Sequence, residues 1–309
     1  MKKDLLSINT LSKQEIEKLI SSAVSLKKKL KSGTPHQPLK DKTLGLLFEK
    51  PSTRTRVSFE IGMLQLGGYA LYLSWRETQL GREESPEDTA RVLSRYLDGM
   101  VIRTFSQGTL ETCARYAAIP VINGLTDLFH PCQILSDLMT VAEKKGDFKK
   151  AKISYIGDGN NIANSWINAS LKLGFILHLA CPEGYEPDRE TLEKAKEDPS
   201  SQITLSADPG EAARDADIIY TDTWVSMGQE NEHQKRLEAF KGYQVNSSLL
   251  KAAKGEVMVM HCLPAHRGQE ISEEVADGTH SIIFDQAENR LHMQKAILET
   301  LLTENSKEM

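Results

Sequence analysis

Cysteine is scarce in this chain. Four residues in 309, Cys113, Cys132, Cys181 and Cys262, show neither a CxxC pair nor a regular spacing. That pattern argues against a disulfide framework and a structural zinc site, and it fits a reducing cytoplasm. Long apolar runs are missing too. No stretch approaches the ~20 residues that cross a bilayer, so no membrane is expected as a partner. The opening stretch, MKKDLLSINTLSKQEIEKLI, is broken by charges and has no apolar h-region, so no signal peptide is expected. Positive charge is in deficit: 38 Lys and Arg stand against 43 Asp and Glu, a formal net charge of −5, with no long basic tract. Nucleic acid is therefore a poor candidate partner, and any anion site must be local. No Walker-type GxxxxGK[ST] occurs. The turn Gly157-Asp158-Gly159-Asn160-Asn161-Ile162 has Ile162 where the dinucleotide fingerprint needs its third glycine. Neither ATP nor a nicotinamide cofactor is expected. His261 and Cys262, if both lie on a strand, point to opposite faces, so no metal is expected there.

What remains is a globular composition, 39% hydrophobic and 26% charged, long enough for two moderate domains. The chain is organised around LGLLFEKPSTRTRVSFE at 44–60. It reads as a strand at 44–48, a polar turn from Ser52 to Arg56, and a helix with Phe59, Met63 and Leu66 on one face. A turn that opens a helix presents free N–H groups and the positive end of a dipole. This one adds three hydroxyls and two guanidiniums, groups suited to gripping a phosphate. Before it, Ser12 and Glu15 form a capping box for a first helix. After it, strands at 69–73, 100–102 and 119–122 alternate with helices. The second half repeats the alternation with strands at 153–156, 176–180, 203–205, 218–220, 257–260 and 282–284. The expected fold is α/β: two domains, each a central parallel sheet flanked by helices. Residues 1–146 form the first and 147–309 the second, the junction falling near the charged stretch 145–152. A last helix begins near Gln286.

Ligands of open parallel sheets bind beyond the C-terminal strand ends. The Ser52–Arg56 turn, Arg103, His130, Asn161, Asp222 and His261-Cys262 all fall there. A small phosphorylated compound is the reading these residues support.

Four stretches carry a family resemblance: FEKPSTRTRVSFE at 48–60, HPCQILSDLMT at 130–140, DTWVSMGQE at 222–230 and HCLPAHRG at 261–268. With GREE at 81–84, DTARVLSRY at 88–96 and FDQAENR at 284–290, they resemble the aspartate/ornithine carbamoyltransferases over essentially the whole chain. STRTR and HPxQ resemble the family in general; SMG and HCLP resemble its ornithine branch. The resemblance implies a carbamoyl-phosphate domain followed by an ornithine domain, with the helix at 286–304 packing back on the first. It implies an enzyme without cofactors that forms citrulline in arginine biosynthesis or works in reverse. It also implies a homotrimer or an assembly of trimers. For carbamoyl phosphate it points to Ser52, Thr53, Arg54, Thr55, Arg103, His130, Gln133, Cys262, Leu263 and Arg290, with Gln79 reaching a neighbouring subunit's site. For ornithine it points to Asn161, Asp222, Ser226 and the Met227 backbone. Arg103, Asp222 and Cys262 are the catalytic residues it implies, Cys262 as proton acceptor.

These assignments fit the chemistry. Arg103, His130 and Thr55 are donors suited to a carbonyl oxygen turning tetrahedral. The acceptor must present a neutral amine. With a free pKa near ~10.4, an alkylamine is neutral in only about one molecule in 2500 at pH 7, a penalty of roughly 4.6 kcal/mol. Aspartate as acceptor would need cationic groups that DTWVSMGQE lacks. Putrescine, the nearest alternative, would leave the amino-acid contacts at Asn161 and Met227 unused. A sensor built on an inactive enzyme would be expected to have lost site residues, and none is replaced.

Overall fold

Ser12 starts the first helix as its sequence dictates. Its Oγ accepts the Glu15 amide at 3.3 Å, and the Glu15 carboxylate accepts the Ser12 amide at 2.7 Å. The computed structural model describes residues 3–78, 84–226 and 228–304. They divide into two compact units: 1–139 with 289–309, and 140–288.

The first unit runs α1 (Lys13–Lys31), β1 (Thr43–Phe48), α2 (Thr53–Gln65), β2 (Tyr69–Ser74), α3 (Pro86–Leu93), β3 (Gly99–Arg103), α4 (Gln107–Tyr116) and β4 (Val121–Leu125), then enters α5 (Pro131–Lys145). Its sheet has the order β2-β1-β3-β4, all parallel. Chain order therefore reverses between β1 and β3, the crevice position for a ligand in an open sheet. Phe48 and Arg103 are register partners there. The face of α2 that the sequence marks as apolar is the buried one, with Phe59, Met63 and Leu66 fully covered. The fourth strand begins at Val121 rather than 119, because Pro120 has no N–H to give a ladder and serves instead as acceptor for Met100.

The second unit continues with β5 (Lys152–Ile156), α6 (Asn161–Leu173), β6 (Ile176–Ala180), α7 (Arg189–Glu197), β7 (Ile203–Ser206), α8 (Pro209–Ala213), β8 (Ile218–Thr221), α9 (His233–Ala239), α10 (Ser247–Leu250), β9 (Met258–His261) and α11 (Glu273–Ala276). The sheet order is β7-β6-β5-β8-β9, again all parallel, and its reversal lies between β5 and β8. Tyr155 and Tyr220 stack at 5.9 Å, and Trp166 meets Tyr220 edge-on at 5.6 Å, filling the layer under α6.

The tenth strand expected at 282–284 does not form. Ser281 makes one bridge to Val259, Ile282 donates to the Val259 carbonyl at 3.0 Å, and α12 (Ile283–Glu304) begins at the next residue. From residue 289 onward α12 belongs to the first unit. Lys295 Nζ reaches Gln65 Oε1 at 2.9 Å, and His36 pairs with Glu299 at 2.9 Å. Gly99 is small for a reason: a Cβ there would lie 2.7 Å from a Leu302 methyl. The last helix thus packs against the first unit's sheet, as expected. No helix among the described residues is long and apolar enough to cross a membrane.

Candidate active site

At the β1/β3 reversal, Ser52 caps α2, its Oγ 3.3 Å from the Thr55 amide. Ser52 Oγ also lies 3.2 Å from Thr55 Oγ1. Thr55 is fully buried, and its hydroxyl accepts Arg290 Nη2 at 2.9 Å. Arg290 Nη1 donates to Gln133 Oε1 at 2.7 Å, while Gln133 Nε2 donates to Asp137 at 2.8 Å. One guanidinium from α12 thus ties the STRTR turn to the HPxQ helix. Arg103 ends β3, where the Glu49 amide donates to its carbonyl at 2.8 Å. His130 stands immediately before α5 and is buried. Burial, then the Arg290, Arg103 and Arg54 guanidiniums, hold its imidazole well below the ordinary histidine range. At neutral pH it is uncharged, with three guanidiniums around it. Thr53 is exposed and Arg54 half-buried at the same turn. Arg56 leaves the group: its guanidinium lies 3.9 Å over the Tyr72 ring and bonds Glu60 at 2.9 Å. The turn therefore supplies one guanidinium to the cluster, not two.

The β5/β8 reversal gathers a second group. Gly159 brings two backbones together, since a Cβ there would fall 2.2 Å from Pro187 N. Asn160 caps α6, accepting the Ile162 amide at 2.9 Å, and its Nδ2 donates to Asp222 Oδ2 at 2.8 Å. Asp222 Oδ1 accepts the Thr223 amide at 2.8 Å and the Cys262 thiol at 2.9 Å. The acid and the thiol assigned to the reacting amine are thus hydrogen-bonded to each other. Asn161 is the first residue of α6, beside the cap. Ser226 lies just beyond, its amide held by Gln229 Oε1 at 3.1 Å. Gln79 and Met227 lie outside the described residues.

Leu263 follows Cys262 with φ of 60° and a cis bond to Pro264. Its amide donates to His261 Nδ1 at 2.8 Å, and His261 Nε2 faces the buried Glu270 at 3.1 Å. The opposite-face expectation for His261 and Cys262 fails because β9 ends at His261. Asp222, His261 and Cys262 each bring one donor atom within 4.8 Å of the others. His261 is nonetheless committed on both nitrogens: Nδ1 accepts Leu263, which leaves the proton on Nε2 for Glu270. Its role is to shape the turn that carries Cys262 and Leu263.

Sequence reasoning missed Asn160, whose side chain holds Asp222, although its cap position next to Asn161 was a usable signal. It missed Glu270 and Asp158 as well, which no local pattern marks.

Two family profiles match this chain. One describes the carbamoyl-P binding domain of aspartate/ornithine carbamoyltransferase and matches residues 3–143. The other describes the Asp/Orn binding domain and matches 149–301. The chain belongs to the aspartate/ornithine carbamoyltransferase family. Among its relatives, the ornithine carbamoyltransferase of Syntrophus aciditrophicus is 58% identical over 302 residues, covering 98% of this chain and 100% of that protein. That of Methanosarcina mazei is 56% identical over the same shares. Among solved structures, the ornithine carbamoyltransferase from Pyrococcus furiosus has a TM-score of 0.91 at 50% identity, covering 96% of this chain and 95% of that one.

Proposed function

We propose that this protein is a carbamoyltransferase that moves the carbamoyl group of carbamoyl phosphate to the side-chain amine of L-ornithine, giving L-citrulline and phosphate. The observation that carries the reading is the donor cluster at the β1/β3 reversal, where Arg290 joins Thr55 to Gln133 and a neutral His130 stands among arginines. In this account Ser52, Thr53, Arg54 and Thr55 hold the phosphate, Arg103 spans phosphate and carbonyl, and His130 donates to the carbonyl oxygen. Gln133 holds the carbamoyl amide, and Leu263 belongs to the carbamoyl-phosphate set. As the amine nitrogen attacks the carbonyl carbon, negative charge grows on that oxygen, and fixed donors favour the tetrahedral state. The carbon–oxygen bond to phosphate then breaks, and the phosphate departs with the electron pair.

The amine must lose a proton. In this account Cys262 accepts it as its own thiol proton passes along the hydrogen bond to Asp222, which Asn160 braces, and the departing phosphate is the final sink. Asn161, Ser226 and the Met227 backbone take the amino-acid end. Putrescine would leave those groups without their ligand, and no observation favours it. The acyl phosphate is already activated, so the chemistry calls for no cofactor.

The finer assignments belong to the same proposal. Residues 1–146 serve carbamoyl phosphate, with the helix at 286–304 packing back on them, and 147–309 serve ornithine. The enzyme works in the cytoplasm, a reading that fits four cysteines among which no disulfide forms in the described residues. It works in arginine metabolism in either direction. It assembles as a homotrimer or a set of trimers, with Gln79 offered to a neighbouring subunit.

The direct test is calorimetry. Arg54→Ala removes a charged bidentate contact and should weaken carbamoyl-phosphate binding by at least about tenfold. An unchanged dissociation constant in the folded variant would refute the phosphate assignment.

A further inference from the structure

Arg236 lies on α9, outside every motif used above, and it is buried. Its Nη1 donates to the Trp224 carbonyl at 2.8 Å and stands 3.1 Å from Asp158 Oδ2. Its Nε donates to Glu232 Oε2 at 3.2 Å, and the guanidinium lies 4.9 Å from the Tyr185 ring centre. These contacts fall at telling places. Trp224 lies two residues before Ser226, and Glu232 six residues after it, immediately before α9. Asp158 lies two residues before Asn160, in the turn that opens α6. Asn160 in turn bonds Asp222, two residues before Trp224. The contacts close a circuit: Asp222 to Trp224 along the chain, Trp224 to Arg236, Arg236 to Asp158, Asp158 to Asn160 along the chain, and Asn160 back to Asp222. Trp224 is fixed further by stacking on Phe240 at 5.5 Å.

We propose that Arg236 is a positioning residue for the amino-acid substrate, clasping the Ser226 loop and the Asn160-Asn161 turn in the relation that ornithine binding needs. The inference rests on the ornithine reading given above. A guanidinium suits the task because one planar fork serves several acceptors at fixed angles, which a lysine ammonium does not reproduce. Burial pushes the Asp158 carboxyl up to about 6 even with Arg236 beside it, so the turn depends on this cation for its charge balance.

The test separates ornithine from carbamoyl phosphate. Arg236→Lys keeps the charge and loses the fork. It should raise the ornithine KM by about tenfold and leave the carbamoyl-phosphate dissociation constant within about twofold. Asp158→Asn keeps an acceptor of the same shape and should raise the ornithine KM by about threefold, with the same split. A general loss of structure would move both constants and the unfolding temperature together. An unchanged ornithine KM in folded Arg236→Lys overturns the proposal, as does an equal rise in both constants. Should Arg236→Lys fail to fold, Asp158→Asn decides by the same two outcomes. Wild-type protein that forms no citrulline would refute the ornithine reading itself, and this inference with it. Active wild type with an unmoved KM in the variants refutes Arg236 alone.

Discussion

His130 ties the stability of the fold to pH through one proton. Its folded pKa lies well below the ordinary value of 6.5, because burial and three guanidiniums disfavour the cation. The sign follows from linkage. Below about pH 6.5 the unfolded chain takes up a proton that the folded chain refuses, so stability present above that pH is lost as pH falls. Wild-type protein should therefore lose about 1 kcal/mol more than His130→Gln when urea unfolding is moved from pH 7.5 to pH 5.5. Equal losses would mean that His130 is not held neutral. Residues of this kind differ in how much the sequence discloses. Ser52 was legible because a cap is a local event, decided within three residues. Arg56 was not: its place depends on Tyr72 of the neighbouring strand, which draws the guanidinium away from the turn. His261 and Cys262 were misjudged because the opposite-face argument assumes a strand that in fact stops between them.

At the scale of the element, α2 has two apolar faces. Phe59 and Met63 are covered by the unit's own core, but Val57, Ile61 and Leu64 form a second stripe at helical spacing, with Leu64 64% exposed. Tyr69 and Leu71 on the edge strand β2 are exposed too. An apolar helix face left exposed by the described residues fits burial against another copy. If this face seats the subunit contact of the proposed trimer, Leu64→Glu should lower the sedimentation mass from that of a trimer to that of a monomer. An unchanged mass would place the subunit contact elsewhere. Element boundaries were legible wherever periodicity and caps agreed, as in α1 and β1. They failed at 282–284, where an Ile-Ile-Phe run has strand composition. A single bridge from Ser281 to Val259 is all the pairing that forms before the helix starts.

At the scale of the molecule, each parallel sheet reverses its order once, and each reversal carries one functional group of side chains. The first collects hydroxyls, arginines and a neutral histidine around a turn fit for an acyl phosphate. The second collects an acid, a thiol and two asparagines. The alternation of strands and helices, and the strand ends as the seat of chemistry, could be read from the sequence because both follow from hydrophobic period. The circuit through Arg236 could not, because its members lie up to 78 residues apart and meet only in the folded chain. The measurement that bears most directly on the whole account is formation of the carbamoylated amine and phosphate by the purified protein, supplied with carbamoyl phosphate and ornithine, aspartate or putrescine in turn. The account predicts citrulline with ornithine, and kcat/KM at least about a hundredfold lower for the other two amines, because neither fills the contacts proposed for ornithine. No citrulline from ornithine, or putrescine turned over at a comparable rate, would contradict it.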